Sequence, residues 1–95
     1  MNKYRDKSDS EINELVSFSL GYVHTKSFAP CNNPVQATPI IIENKISVNY
    51  IDKDIGWGAY HFDEEKGELE IYDKNYYRAA MICFLIMKDA ENEKV

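Results

Sequence analysis

The sequence predicts an α+β domain: a three-stranded antiparallel β-meander packed against an N-terminal and a C-terminal helix, with a long ordered loop between helix one and strand one. Three observations predict it. A capping box opens a helical pattern near the start of the chain. Three stretches between residues 45 and 72 read as strands separated by polar turns, and an apolar run from Ala79 to Met87 sits inside a helical pattern near the end.

Ser8-Asp9-Ser10-Glu11 supplies the box. The Ser8 hydroxyl accepts from the Glu11 backbone N–H while the Glu11 carboxylate reaches back to the N–H of Ser8. Ile12, Leu15, Val16 and Leu20 follow at helical spacing, and Gly21 stands where a left-handed stop belongs, so helix one covers about residues 9–20. From Tyr22 to Pro39 the periodicity is lost. Pro30, Asn32, Asn33, Pro34 and Pro39 punctuate the stretch, which reads mostly as an ordered loop. Within it Asn33-Pro34 is the pair expected at a helix start, cap then first helical position, so a short helical turn fits there; Pro39 ends it or opens another around Ile40 to Ile42.

Lys45 to Ile51 alternates, with Ile46, Val48 and Tyr50 on one face and Ser47 and Asn49 on the other. Asp52-Lys53-Asp54 supplies turn chemistry, and Gly56 to Phe62 forms a second strand rich in aromatics. Asp63 to Gly67 makes the second turn before Glu68-Leu69-Glu70-Ile71-Tyr72, again alternating. Asn75 then caps a helix from about Tyr76 to Asn92. That helix is the expected core element. It lies across the sheet face made by Ile46, Val48, Trp57, Ala59, Leu69 and Ile71, with helix one beside it.

Ninety-five residues support one domain and bury roughly two-thirds of the unfolded chain's surface. With 44% hydrophobic and 28% charged residues the balance is that of a folded globule. The apolar run at Ala79 is far shorter than a membrane span, and no export signal opens the chain, so Cys31 and Cys83 read as free thiols in a cytoplasmic protein. The net charge of −5 is uneven: residues 1–45 carry five basic and five acidic side chains, and the whole acidic excess lies beyond them. That distribution argues against direct DNA binding, which needs a basic stripe, and favours a basic partner.

The chemistry-bearing residues do not assemble into a catalytic pattern. His24, His61, Cys31 and Cys83 lack the spacing of a zinc site, and a Cys31–His24 or Cys31–His61 nucleophilic pair lacks an orienting third group. Gly56-Trp57-Gly58 is a strand segment and no phosphate loop. Glu68 and Glu70 share a strand face like an acid–base pair, but a solvated sheet surface explains them. No enzyme activity, cofactor or metal is expected.

Several strings together resemble the NinX-like proteins of lambda-type phages and prophages: Ser8-Asp9 with Glu11-Ile12, Cys31-Asn32-Asn33-Pro34, Pro39-Ile40-Ile41-Ile42-Glu43-Asn44-Lys45-Ile46-Ser47, Trp57 with Ala59, and Arg78-Ala79-Ala80-Met81. The resemblance spans most of the chain. It implies a phage or mobile-element origin and carries over no catalytic residue.

The informative surface is the sheet face opposite the core. The alternation that buries Trp57, Leu69 and Ile71 turns Tyr60, Phe62, Glu68, Glu70 and Tyr72 outward, next to the acidic turn Asp63-Glu64-Glu65. A foreign protein, the loop from Tyr22 to Pro39, or a second copy in a homodimer are the three ways to cover it. These acidic residues, with the tail Asp89-Glu91-Glu93, also resemble a run of phosphates. The preferred expectation is a phage-encoded accessory protein, cytoplasmic in an infected or lysogenic bacterium, that binds a host protein through this acidic and aromatic surface. Its sharpest form is an inhibitor of a nucleic-acid-binding defence complex, such as an anti-CRISPR protein. The alternative is a small dimeric regulatory or nucleic-acid-associated protein that touches DNA through Lys3, Arg5, Lys7 and Lys26.

Overall fold

The computed structural model describes residues 3–92, so Glu93 of the expected acidic tail lies outside the described residues. Among them the order is α1 (Asp9–Ser19), α2 (Pro34–Glu43), β1 (Ser47–Asp52), β2 (Gly56–Asp63), β3 (Gly67–Asp73) and α3 (Tyr76–Asn92). The strands form one antiparallel meander in the order β1-β2-β3. The expected α+β fold stands, with one helix more than the sequence reading resolved.

Helix α1 begins and ends as its residues dictate. Both hydrogen bonds of the Ser8–Glu11 box are made, at 3.1 and 3.0 Å. At the other end Gly21 adopts φ +77° and the Tyr22 N–H closes back on the Ser17 carbonyl at 3.0 Å.

The segment read as loop ending in a short turn contains instead a ten-residue helix, α2. Asn33 caps it through the Val35 N–H at 3.0 Å, with Pro34 at the first helical position. Pro39 does not end it. A proline there removes the bond to the Val35 carbonyl and crowds it, but Pro39 and Val35 both face solvent, so water can serve that carbonyl. Ala37, Ile40 and Ile41 are buried on the opposite face, and that burial holds the helix through the proline. Its last turn closes with Lys45 in the left-handed region at φ +56° and the Ile46 N–H on the Ile41 carbonyl at 3.0 Å. This is why β1 starts at Ser47 and not at Lys45: the first two residues of the expected strand finish the helix.

Helix α3 is buried on all sides from Ala79 to Leu85, because the sheet packs on one flank and α1 and α2 on the others. The sheet meets the helices mainly through α3, with α1 lying against α3 and not spread beside it on the sheet. Phe84, fully buried at the centre, is worth about 1.5–3 kcal/mol by transfer alone. Cover over the sheet is uneven: α3 lies on β2 and β3 and reaches only the margin of β1.

At the start of α3 one side chain collects the elements. Arg78, its side chain 12% exposed, donates from Nε to Asp73 at 3.0 Å, from Nη1 to Asp9 at 2.8 Å, and from Nη2 to the Lys7 and Arg5 carbonyls at 2.7 and 3.1 Å. Burial opposes its charge, but the hydrogen bonds it donates to Asp9 and Asp73, with their negative charge, outweigh burial and raise its pKa further.

Two stability outcomes follow from this architecture. Arg78→Ala removes the cation that Asp9 and Asp73 share and should lower unfolding free energy by about 1–3 kcal/mol, with Arg78→Lys recovering little because an ammonium cannot hold the fork. Pro39→Ala restores the missing N–H on a solvent-facing turn and should raise stability by about 1–3 kcal/mol. Urea titrations of the three variants beside the parent protein read both effects.

Candidate functional site

The outer face of the sheet is built by register. Antiparallel pairing sets Gly58 opposite Tyr72, Tyr60 opposite Glu70 and Phe62 opposite Glu68, so aromatic and carboxylate side chains alternate across β2 and β3. Gly58 leaves room for its neighbour: a Cβ there would lie 2.5 Å from the Tyr60 hydroxyl, and the Tyr60 ring folds back along its own strand over the bare glycine. Tyr72 then meets Tyr60 edge to face, with ring centroids 6.3 Å apart. The Tyr72 hydroxyl donates to the Glu70 carboxylate at 3.1 Å. Its pKa is pushed up to about 12, first by its hydrogen bond with Tyr60 and then by the bond with Glu70.

Phe62 is 66% exposed and Tyr72 48%, while Tyr60 is half-buried by this packing. Glu68 and Glu70 are both exposed. Hydrogen bonding with Glu70 raises the Glu68 carboxyl above its ordinary value, because two adjacent carboxylates share a proton more readily than they share a negative face. Desolvation and the like charge of Glu70 add to it in the same direction.

The adjoining turn is a different kind of acidic feature. The Asp63 carboxylate accepts from the Glu65 and Lys66 N–H groups at 2.7 and 3.1 Å, so Asp63 shapes the hairpin that ends in Gly67 at φ +87°. Glu64 and Glu65 are exposed on the same turn. The structure therefore brings Tyr60, Phe62, Glu68, Glu70 and Tyr72 together on one surface and sets Asp63, Glu64 and Glu65 at its end. The loop from Tyr22 to Asn33 does not cover them. It lies against α1, where the Cys31 N–H donates to Asn13 at 2.9 Å and Asn32 donates to Asp9 at 3.2 Å.

A cleft that sequence reasoning missed borders this surface. It is about 210 Å³, between the β2–β3 hairpin and the last turns of α3, with Leu69, Ile86, Met87 and Ala90 as its apolar lining and His61 and Glu68 at its polar rim. Ile86 and Met87 read in sequence as more of the buried run; their half-exposure arises because the sheet ends before α3 does.

The other residues weighed for chemistry are dispersed. Cys31 and Cys83 are both fully buried, and burial pushes each thiol up to about 12. The His61 ring faces the Lys45 carbonyl at 3.4 Å. His24 sits in a groove with Asp9, Asn13, Lys26 and Asn32 at the start of α1. Among the described residues no three His, Cys, Asp or Glu side chains gather as metal ligands, and no helix is long and apolar enough to cross a membrane.

Buried, protonated thiols are slow to react. A thiol reagent near pH 8 should leave both cysteines unmodified in the native protein and titrate two after denaturation; reaction of a native thiol would show that Cys31 or Cys83 is reached by solvent in an opened state.

Compared with known families, residues 4–88 match the model described as Bacteriophage P22, NinX. No curated protein and no solved structure matches the chain.

Proposed function

The chain belongs to the NinX family of bacteriophage P22, a phage-encoded accessory protein, and from that premise we propose that it acts by binding a basic host protein through the outer face of its sheet. One observation carries the reading. Phe62 and Tyr72 stand exposed beside Glu68 and Glu70, on a face that the chain's own loop leaves open. Aromatic anchors supply the desolvated area that dominates interface energetics, and the surrounding carboxylates select a positive partner and speed encounter with it.

The acidic excess of the second half supports a partner that ordinarily holds nucleic acid. A host defence nuclease, a CRISPR effector among them, has such a basic channel, and blocking it would make this protein an inhibitor of host defence. The mechanism is occupancy: the aromatic rings dock, Glu68 and Glu70 take the place of phosphates, and no bond is made or broken. The reading involves no cofactor and locates the protein in the bacterial cytoplasm.

Affinity capture of the tagged protein from lysates of its bacterial host at low salt should retain a stoichiometric basic protein. Joint reversal of Glu68→Lys and Glu70→Lys should weaken that capture at least about tenfold, as should Phe62→Ala. Because the Glu68 carboxyl is raised, it takes up its proton first as the pH falls, so retention should decline before ordinary carboxylates titrate. Retention of nothing from several lysates sinks the reading, and salt-dependent retention on DNA in its place favours the regulatory alternative.

A further inference from the structure

We propose that β1 is a self-recognition edge, along which a second copy of this chain adds its own β1 in antiparallel register and joins two three-stranded sheets into one of six strands. The inference is independent of the outer-face reading. It rests on the contrast between the two edges of the sheet and on what α3 leaves uncovered.

A three-stranded meander has two open edges, and an open edge is a template for another strand unless charge, proline or cover blocks it. The β3 edge is guarded by charge, since Glu68, Glu70 and Asp73 place three carboxylates within its seven residues. The β1 edge is less guarded, its one charge, Asp52, lying at the strand's end beyond the bulge. From Ile46 to Ile51 it carries no charge and no proline, and all its residues but Val48 are exposed from Ser47 onward.

The inner face of β1 is also incomplete. Tyr50 belongs to the core-facing side, where it packs edge-on against Trp57 at 5.2 Å, yet it remains 58% exposed because α3 covers β2 and β3 and only the margin of β1. Val48, on the same face, is half-buried. A strand added at this edge would cover both.

The strand is self-complementary about Asn49. A two-fold axis there sets Asn49 against the partner copy's same residue and Val48 against Tyr50 twice over, an aromatic and β-branched pair on the inner face. Ser47 meets Ile51 at each end. The one irregularity of β1, a bulge between Tyr50 and Asp52, falls outside the central three residues. A single strand pair is small beside the roughly 1,200–2,000 Å² buried in stable interfaces, so the association is expected at micromolar and higher concentrations. In it the two acidic outer faces lie side by side on one sheet, which would present them to a partner together.

Sedimentation equilibrium over micromolar to millimolar concentration tests this with the full chain. The 11.0 kDa species should give way to its dimer. Asn49→Lys, which places two ammonium groups opposite each other, should abolish the shift, whereas Ser10→Lys, the same added charge on exposed α1, should leave it unchanged. Asn49→Cys should cross-link to itself under a mild oxidant, with Cα atoms within disulfide reach across the pair, and Ser47→Cys should not, since its opposite is Ile51. The native thiols are buried and do not compete. A monomer at all concentrations overturns the proposal, as does a dimer indifferent to Asn49→Lys. Neither result bears on capture of a host protein through Glu68 and Glu70.

Discussion

The fold depends on a positive charge placed where three elements end. Arg78 sits in the first turn of α3, and its guanidinium reaches the last residue of β3, the first residue of α1 and the carbonyls of the segment before α1. None of those elements packs broadly on another at that corner. The planar fork with five donors is what allows one residue to serve all of them, because each acceptor lies in a different direction from the same plane. Two carboxylates would repel if left there alone; with Arg78 between them they become the joint.

The second constraint is that α3 has to be apolar on every side. A sheet of three strands is too narrow to seat three helices, so one helix takes the sheet and the other two take the helix. Tyr4 closes the far end of this arrangement: it is buried, and its hydroxyl donates to the Asp89 carboxylate, to which Lys3 also pairs at 3.3 Å. The segment before α1 is thereby strapped along α3 from Arg78 to Asp89. The cost of the narrow sheet appears at its margins, at Tyr50 on one side and at Ile86 and Met87 on the other, which remain partly wet for want of a neighbour.

Local grammar was the legible part of the sequence. The Ser8–Glu11 box, the Gly21 stop, the Asn33-Pro34 start and the Asn75 cap all follow from side-chain reach over a few residues and are found where that reach places them, and the three strands follow from alternation, with β1 beginning two residues late. What failed was reading a breaker without knowing its face. Pro39 is tolerated because it points to solvent, and that depends on α3 burying Ile40 and Ile41, a contact between residues some forty positions apart. Arg78 was unreadable for the same reason: an arginine before Ala79-Ala80-Met81 looks like a solvated first turn until Asp9 and Asp73 are brought to it. The outer face was legible as a set, since period-two alternation fixes which residues share it, but the meeting of Tyr60 with Tyr72 beside Gly58 depends on cross-strand register.

The residues that carry the family resemblance divide by role in a way that bears on function. Ser8 and Asp9 cap α1 and hold Arg78; Asn32 hydrogen-bonds to Asp9; Asn33 and Pro34 open α2; Pro39 to Ile46 runs through it to the closing turn; and Ala59 is buried under α3. These are all parts of the frame. Tyr60, Phe62, Glu68, Glu70 and Tyr72 belong to none of those strings, and they stand on the side of the sheet that the frame does not use. A scaffold held by Arg78 and α3 can therefore keep its shape while this face changes, since substitutions there touch neither the core nor the joint. On the proposed reading, recognition falls to residues that the fold itself does not require.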